Sequence, residues 1–404
     1  MTGRRVAVTG VGVISALGYS RVEFWESLRA GASGIRPITQ TDMSSMKFAN
    51  GAEVEAYDPC RFFGDRDLAI ADRFAQFALI AASEALTDAA IEWTPELRLR
   101  TAVVTGSCGG GKFAEDAGFF DLYRENRPRV HPMTIPRAMA NSGASLIAMQ
   151  HGFRGPAWTV STACSSSNHA IGQALWLLRS GAVDIAVAGG SEAPFSFGFL
   201  KAWEAMRVVS PDTCRPFSRG RRGMILGEGG AILVLEPLEH AKQRGAKMYA
   251  ELAGFGCSSD AHHITQPTVE GPAAAMRAAL ADGGIDPSET GYINAHGTGT
   301  PANDPVETRA VREVFGHHAG RLVMTSTKSM HGHTLGAAGA IEAVATVLAL
   351  HHGVLPPTAN FTEADPECDL DISPNVAREA VVEAAVSNSF AFGGLNAVLA
   401  FRKA

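Results

Sequence analysis

The chain has 404 residues, of which 46% are hydrophobic and 19% are charged. This composition supports a large buried core and excludes a disordered tail or a polar linker. Lysine and arginine number 35 against 41 acidic residues, a formal charge of −6 with no block of like charge, which argues against a nucleic-acid partner.

Short β-branched segments bounded by glycine alternate with helical segments rich in alanine and leucine, which predicts a layered α/β fold. The predicted strands are residues 5–9, 101–105, 185–188, 231–235, 292–294 and 323–325. The predicted helices include residues 71–90, 165–180, 238–244, 272–282 and 337–351. We interpret the chain as two consecutive α/β halves, residues 1–249 and 250–404.

The N-terminal segment imitates a secretory signal, because two arginines precede the uncharged residues 6–20. Its β-branched residues and three glycines instead favour a buried strand that enters a glycine turn. The uncharged residues 155–178 carry too many polar side chains for a bilayer core, so no transmembrane segment is predicted. The six cysteines are widely spaced and include no C-x-x-C pair, which favours reduced thiols in the cytoplasm.

Two glycine-rich segments invite comparison with nucleotide-binding motifs. Residues 10–15 lack the third glycine of a dinucleotide-binding turn. Residues 106–112 fit the pattern G-x-x-x-x-G-K, but Phe113 stands where a hydroxyl side chain would bind Mg²⁺. A turn at the end of a strand is the favoured interpretation of this second segment.

Cys164 lies in the sequence T-A-C-S-S-S, at a predicted junction between a strand and a helix. Free backbone N–H groups and the positive end of a helix dipole stabilise a thiolate, so we expect a lowered pKa and a nucleophilic sulfur. The alternative is a small buried side chain, the usual state of a free cysteine.

Two histidines strengthen the nucleophile hypothesis. His296 follows a predicted strand in the glycine-flanked turn N-A-H-G-T-G-T-P, and His333 follows Lys328 by five residues in S-T-K-S-M-H-G-H. One cysteine with two loop histidines is a combination that catalysis uses. The alternatives are structural histidines or a metal pair of His331 and His333, for which no third ligand has a suitable spacing.

These segments, together with N-S-F-A-F-G-G-L-N at residues 388–396, resemble the signature elements of the β-ketoacyl-acyl-carrier-protein synthases. These are condensing enzymes of the thiolase superfamily, and the resemblance, nearest to the type II elongating synthase, covers almost the whole chain. Residues 164–215 are also similar to nodulation-type synthases, a branch that makes unsaturated acyl chains. The resemblance implies a thiolase-like fold in which two related halves form five layers, α-β-α-β-α.

The resemblance also implies a decarboxylative Claisen condensation of malonyl-carrier with an acyl chain bound to Cys164, in fatty acid or polyketide elongation. His296 and His333 would assist decarboxylation and bind the thioester carbonyl. Lys328 would order the site as a fixed charge, and Glu342 would be its ion-pair partner.

Further roles follow from the same resemblance. Backbone N–H groups of Cys164 and Phe392 would form an oxyanion hole, and Phe392 would act as a gate. Thr298 and Thr300 would bind the phosphopantetheine arm, which arrives on the carrier, so no other cofactor and no metal is implied. The acyl pocket would include Cys108 and Trp203. The docking surface for the acidic acyl carrier protein would include Arg66, Arg127, Arg129 and Arg207.

The chain departs from the family pattern at two places. Ala391 and Leu395 stand where the family usually has glycine and threonine, and a left-handed backbone at Ala391 would be strained. Ala69 and Ile70 stand where the docking strip usually has more positive charge. Acyl chain length and carrier choice are the properties that these departures would change.

Three other interpretations remain open from the sequence. The protein could be the catalytic subunit of a polyketide heterodimer with a chain-length-factor partner, rather than a homodimer. A cysteine hydrolase would leave Lys328, the second histidine and both threonines unexplained. A purely structural or binding role would explain none of the four motifs.

Overall fold

The computed structural model describes residues 4–404. Its strands are β1 Val6–Ser15, β2 Arg36–Pro37, β3 Asn50–Gly51, β4 Thr101–Gly106, β5 Ala157–Val160, β6 Ile185–Glu192, β7 Gly229–Pro237, β8 Ala250–Ser259, β9 Thr290–Asn294, β10 Val323–Thr325, β11 Val354–Leu355, β12 Arg378–Glu379, β13 Ala384–Ala391 and β14 Leu395–Lys403.

The helices are α1 Arg21–Ala30, α2 Asp65–Ile70, α3 Arg73–Ala89, α4 Pro95–Leu99, α5 Lys112–Tyr123, α6 Thr134–Ala138, α7 Ser142–His151, α8 Ser166–Arg179, α9 Phe197–Met206, α10 Leu238–Gln243, α11 Glu270–Asp282, α12 Asn303–Phe315, α13 Lys328–His331 and α14 Ala338–His352. Short 3₁₀ helices lie at Pro59–Arg61, Pro287–Glu289, Gly316–Arg321 and Leu335–Ala337.

The main sheet repeats one arrangement of five strands. Its order is β10-β9-β13-β14-β8-β1-β7-β6-β4-β5. In the first half β1 and β7 are antiparallel, β7 and β6 are antiparallel, and β6, β4 and β5 are parallel. In the second half β8, β14, β13, β9 and β10 follow the same pattern. The halves join where β1 and β8 pair, at Ala7 with Glu251 and Val8 with Ala250.

Helices complete the predicted five layers. Helices α8 and α14 contact each other and strands of both halves, so they form the middle layer. Helices α3 and α7 cover the outer face of the first half, and α11 covers the outer face of the second half, with α12 against it. The apolar side chains of the middle layer and the inner strand faces form the largest core cluster. The thiolase-like expectation is confirmed by this architecture.

Paired glycines set the spacing between the outer helices and the sheet. A Cβ atom at Gly10 or Gly12 of β1 would lie 2.2 or 2.0 Å from a carbonyl oxygen of α3. A Cβ at Gly254 or Gly256 of β8 would lie 2.2 Å from a carbonyl oxygen of α11. The prediction of a glycine turn after residue 9 is therefore wrong: β1 continues to Ser15, and its glycines allow close helix packing.

Most predicted elements occur within a few residues of their predicted bounds, and β10 matches its prediction. The sequence predicted a strand before Cys164 without bounds, which is β5, and it did not predict β8, β13 or β14. Strands β8, β13 and β14 are rich in alanine, glycine or polar residues, which have low β-propensity, and they form only because both faces are covered.

One described helical segment, Leu335–His352, is long and apolar enough to cross a membrane. It is 89% buried inside the protein and contains α14 of the middle layer. Its apolar character on all sides follows from that position, because a helix between two sheets has no polar face.

Candidate active site

Four strands end at one cavity of about 290 Å³. Cys164 follows β5, His296 follows β9, His333 follows β10 and Phe392 follows β13. The carboxyl ends of parallel strands are where open α/β sheets bind ligands. The lining residues are Cys164, Trp203, Val208, Met224, Asp260, His263, Ile264, Thr265, Gln266, Pro267, His296, Thr298, Thr300, Ala302, Asn303, His333, Phe390, Ala391, Phe392, Gly394 and Asn396.

Cys164 lies in a tight turn between β5 and α8, where it is 7% exposed. The preceding residue, Ala163, has a φ of 50°, which is unfavourable for a residue with a Cβ. Hydrogen bonds hold this turn: Ser166 Oγ donates to the Ala163 carbonyl over 2.6 Å, and Ser389 Oγ donates to the Cys164 carbonyl over 3.0 Å. The turn fixes the position of the sulfur. The strained backbone at Ala163 was not predicted from the sequence.

The structure contradicts the expected lowering of the Cys164 pKa. Burial raises the pKa of the thiol to about 11, although the Lys328 charge and the Phe392 N–H act in the opposite direction. The free-energy cost of removing a thiolate from water exceeds the stabilisation that one cation and one backbone donor provide here. Cys164 is thus a neutral thiol near neutral pH, and its reaction requires transfer of the thiol proton.

Glu307 binds the backbone at His296, and Lys328 contacts the His296 ring. The backbone N–H groups of His296 and Gly297 both donate to the Glu307 carboxylate over 2.8 Å. Lys328 Nζ lies 3.4 Å from His296 Nδ1. Because an ammonium group can only donate, Nδ1 is the acceptor and the ring hydrogen is on Nε2.

His333 has the same tautomer through a different contact. The backbone N–H of Leu335 donates to His333 Nδ1 over 3.1 Å, which leaves the hydrogen on Nε2. The rings of His296 and His333 are 5.4 Å apart at an interplanar angle of 84°. Burial and the charge of Lys328 hold the pKa of both histidines well below the usual range, so both are neutral. The cavity therefore contains two neutral imidazoles with Nε2–H donors.

Lys328 and Glu342 are fully buried and in contact, as the resemblance implied. Lys328 Nζ also donates to the His296 carbonyl over 2.6 Å, so its contacts are to Glu342 and to two atoms of His296. Burial raises the pKa of Glu342 to about 7, and the Lys328 charge opposes that rise. Lys328 is thus a fixed positive charge, paired with Glu342, and neither residue lines the cavity.

Thr298 and Thr300 present paired hydroxyl groups to the cavity, 2.8 Å apart. Gly299 between them has a φ of 74°, and its N–H donates to Asp304 Oδ1 over 3.2 Å. Asp304 and Glu307 are both buried at the start of α12, and their carboxylates bind the backbone of this turn. Neither residue was predicted from the sequence. The pattern D-P-V-E directly after the turn is the signal that could have revealed them.

Phe392 begins a glycine turn between β13 and β14. Its ring stacks on Trp203 with centroids 6.4 Å apart, and Gly393 and Gly394 have φ values of 83° and 69°. Ala391 ends β13 with a negative φ and pairs with Leu395. The expected strain at Ala391 is therefore absent, because the left-handed conformations fall on the two glycines.

The remaining predicted residues divide between the cavity and other places. Trp203 lines the cavity, whereas Cys108 does not; Cys108 packs beside Trp203 in an apolar cluster that also contains Leu335. His331 contacts Thr327 and the Gly332 carbonyl and faces away from the cavity lining. Across residues 4–404, no group of three or more His, Cys, Asp or Glu residues could hold a metal ion.

The four arginines of the predicted docking surface are all exposed. Arg207 ends α9 next to the lining residue Val208. Arg66 lies on α2, and Arg127 and Arg129 lie after α5, where Arg127 pairs with Asp121. None of the four is a lining residue of the cavity.

A five-layered α/β fold with a cysteine, two histidines and paired threonines on one cavity defines a thiolase-type condensing enzyme. Residues 3–241 match the β-ketoacyl synthase N-terminal domain, and residues 249–362 match the β-ketoacyl synthase C-terminal domain. The chain belongs to the β-ketoacyl synthase family, whose members are condensing acyltransferases. The predicted family and enzyme class are confirmed.

Three comparisons show how close these similarities are. Nodulation protein E of Rhizobium sp. (strain N33) is 48% identical over 400 residues, 99% of each chain. The 3-oxoacyl-[acyl-carrier-protein] synthase 2 of Coxiella burnetii is 41% identical over 407 residues, 99% of this chain and 98% of the relative. The solved structure titled "The ishigamide ketosynthase/chain length factor" has a TM-score of 0.95 and 38% identity, with both chains fully covered.

Proposed function

We propose that the protein lengthens an acyl chain on Cys164 by two carbons, taken from malonyl-acyl-carrier protein. The observation that carries this proposal is the single cavity that contains Cys164, the Nε2–H groups of His296 and His333, and the hydroxyls of Thr298 and Thr300. Hydroxyls at this position suit the amide-rich phosphopantetheine arm. A hydrolase needs neither the second imidazole nor the buried lysine.

The first step is transfer of the acyl group to Cys164. The sulfur attacks the thioester carbon, and the carrier thiol leaves with the proton that Cys164 loses. Backbone N–H groups of Cys164 and Phe392 bind the oxyanion, each contributing about 3 kcal/mol. The Phe392 N–H is close enough to the Cys164 sulfur to lower its pKa in part, which supports this role.

The second step is decarboxylation and condensation. Loss of CO₂ leaves its electron pair as an enolate, whose oxygen accepts hydrogen bonds from His296 and His333. Neutral imidazoles suit this step, because they donate hydrogen bonds to a developing oxyanion without transferring a proton to it. The enolate carbon then attacks the acyl carbonyl, the bond to Cys164 breaks, and the sulfur leaves as a thiolate that takes a proton from solvent. The product is a 3-oxoacyl chain on the carrier.

We further propose that the protein serves a specialised branch of the nodulation type. Identity is 48% to a nodulation protein E and 41% to a 3-oxoacyl-[acyl-carrier-protein] synthase 2, in both cases over nearly the whole chain. We place the protein in the reducing cytoplasm, which the free state of the six described cysteines supports. The division into halves at residues 249 and 250 stays a prediction.

The protein acts as a dimer in this proposal, and a heterodimer is the second candidate. The observation that favours it is the 38% identity to a protein titled as a ketosynthase/chain length factor. Because Cys164 and both histidines are present, this chain would be the catalytic subunit. Light scattering of the purified protein distinguishes a stable homodimer from a chain that requires a second subunit.

Intact-mass measurement tests the proposed reaction. The protein is incubated with a panel of acyl-carrier thioesters, digested and mapped, and malonyl-carrier is then added. We expect one acyl adduct on Cys164 that disappears as 3-oxoacyl-carrier forms. An adduct on Cys108 or Cys214, or free acid as the only product, would contradict the proposal.

A further inference from the structure

A buried carboxylate that the proposed reaction does not use lies beside the active site. Glu192 ends β6, is 1% exposed, and forms none of the ion pairs found in residues 4–404. Hydrogen-bond donors surround it instead. They are Ser107 Oγ at 3.1 Å, Cys108 N at 2.8 Å, Cys108 Sγ at 3.2 Å, Gly109 N at 3.0 Å and Gly336 N at 3.1 Å.

These donors come from both halves of the protein. Residues 107–109 follow β4 in the first half, and Gly336 follows His333 by three residues in the second half. Burial raises the pKa of Glu192, and the hydrogen bonds from residues 107–109 oppose that rise, so the charged carboxylate is stabilised only while its donors converge. Glu192 therefore holds the two segments in a fixed relation.

The turn at Gly336 is also held from the opposite side. Ser167 Oγ, on the helix that follows Cys164, donates to the Gly336 carbonyl over 2.5 Å. A Cβ at Gly336 would lie 2.5 Å from the Cys108 nitrogen and 2.6 Å from a Glu192 oxygen. Gly336 is thus held through its N–H by Glu192 and through its carbonyl by Ser167, with no space for a side chain.

The turn held at Gly336 determines which ring nitrogen of His333 carries the hydrogen. Leu335 has a φ of 48°, an unfavourable conformation that persists only when its surroundings impose it. In that conformation its N–H donates to His333 Nδ1 over 3.1 Å. If the turn relaxed, this N–H would rotate away and nothing would keep the ring hydrogen on Nε2.

We propose that Glu192 is a positioning residue, which acts through Gly336 and Leu335 to hold His333 as the Nε2–H tautomer. The inference rests on the proposed role of His333 in decarboxylation. It assigns Glu192 to the malonyl step and not to acylation of Cys164, because Glu192 hydrogen-bonds the turn after His333, whereas its charge influences the Cys164 pKa less than burial, Lys328, Phe392 or Glu342 does.

The test measures two rates on one preparation of Glu192→Gln: acylation of Cys164 by acyl-carrier, and CO₂ release from malonyl-carrier. Glutamine keeps the shape but loses the charge and replaces one acceptor by a donor. We expect decarboxylation to fall about ten- to hundredfold, as for a misplaced catalytic group, while acylation changes less than about twofold. Nitrogen NMR of labelled histidine should show His333 as one tautomer in the wild type and as a mixture in the variant.

Asp72→Asn is the matched control. Asp72 is also fully buried and accepts backbone N–H groups, from Ala114 over 2.7 Å and from Phe74 over 3.4 Å, but it does not contact the His333 turn. It should lower stability without separating the two rates. If Glu192→Gln does not fold, Ser167→Ala can be tested instead, because it removes the hydrogen bond to the Gly336 carbonyl. Like Glu192→Gln, it should slow decarboxylation more than acylation.

The outcomes are distinct. Equal losses of both rates in folded Glu192→Gln, or a single unchanged tautomer with normal decarboxylation, overturn the positioning role. His333→Ala separates this from the proposed function. If His333→Ala loses decarboxylation and Glu192→Gln keeps it, only the inference fails. If His333→Ala keeps decarboxylation, the proposed function fails.

Discussion

Lys328 Nζ lies 2.6 Å from the carbonyl oxygen of His296, and the same ammonium group contacts the Glu342 carboxylate. The lysine is therefore bound to the backbone of one histidine, and burial together with the lysine charge keeps the pKa of both histidines low. Lys328 therefore acts through its electric field and by fixing the position of His296. Its ammonium group contacts His296 and Glu342 and is not free to bind substrate.

Removal of Lys328 alone should be costly. Lys328→Met leaves Glu342 buried without its cation, which we expect to lower the free energy of unfolding by about 3–5 kcal/mol. The double variant Lys328→Met, Glu342→Leu should recover most of that stability, because it removes both charges, while decarboxylation stays about a hundredfold slower. Chemical denaturation and CO₂ release measure the two effects. Recovery of activity in the double variant would contradict the role of the lysine charge.

Replacement of the nucleophile should separate the two half-reactions. Cys164→Gln should abolish condensation but retain or raise malonyl decarboxylation, because we propose His296 and His333, and not the sulfur, as the decarboxylating groups. Release of CO₂ or acetyl-carrier from malonyl-carrier gives the rate. Loss of decarboxylation in a folded Cys164→Gln protein would show that this division of roles is wrong.

The pH dependence of thiol alkylation should reflect the raised pKa of Cys164. With a pKa of about 11, about one thiol in a thousand is ionised at pH 8. The thiolate is the reactive form, so alkylation by iodoacetamide should rise about tenfold per pH unit from pH 7 to pH 10, without a plateau. Peptide mapping follows Cys164 separately from the exposed Cys60 and Cys257. A plateau near pH 8 would restore the original expectation of a lowered pKa.

The gate predicted at Phe392 should respond to added backbone freedom. Ala391→Gly extends the glycine turn by one residue, so we expect condensation to become about two- to fivefold faster with little change in acylation. Single-turnover measurements time the two steps separately.

Ala384→Gly, at the opposite end of β13, is the control for this gate variant. It should lower stability by a similar amount, about 0.5–1 kcal/mol, and change neither rate. Equal effects of Ala391→Gly on both steps, or none, would exclude a gating role while leaving Cys164 and the histidines unaffected.

The sequence indicated the candidate reactive residues because each lies in a short local motif. Cys164, His296, Lys328 and His333 all occur in glycine- or serine-rich turns after predicted strands, where a functional side chain is recognisable. The sequence could not reveal the raised pKa of Cys164, because burial depends on segments far along the chain. Glu192 was missed for the same reason: its donors lie more than 80 or 140 positions away.

The two halves supply the site from equivalent places in one repeated strand order. The segment between β5 and α8 carries Cys164, and the segment between β10 and α14 carries His333. The strand order of the two halves thus repeats, whereas the reactive side chains on the equivalent turns differ. Two copies of either turn would give two nucleophiles or two donors, and neither pair could join carbon to carbon. The condensing site requires that the two equivalent turns differ while the framework that aligns them is the same.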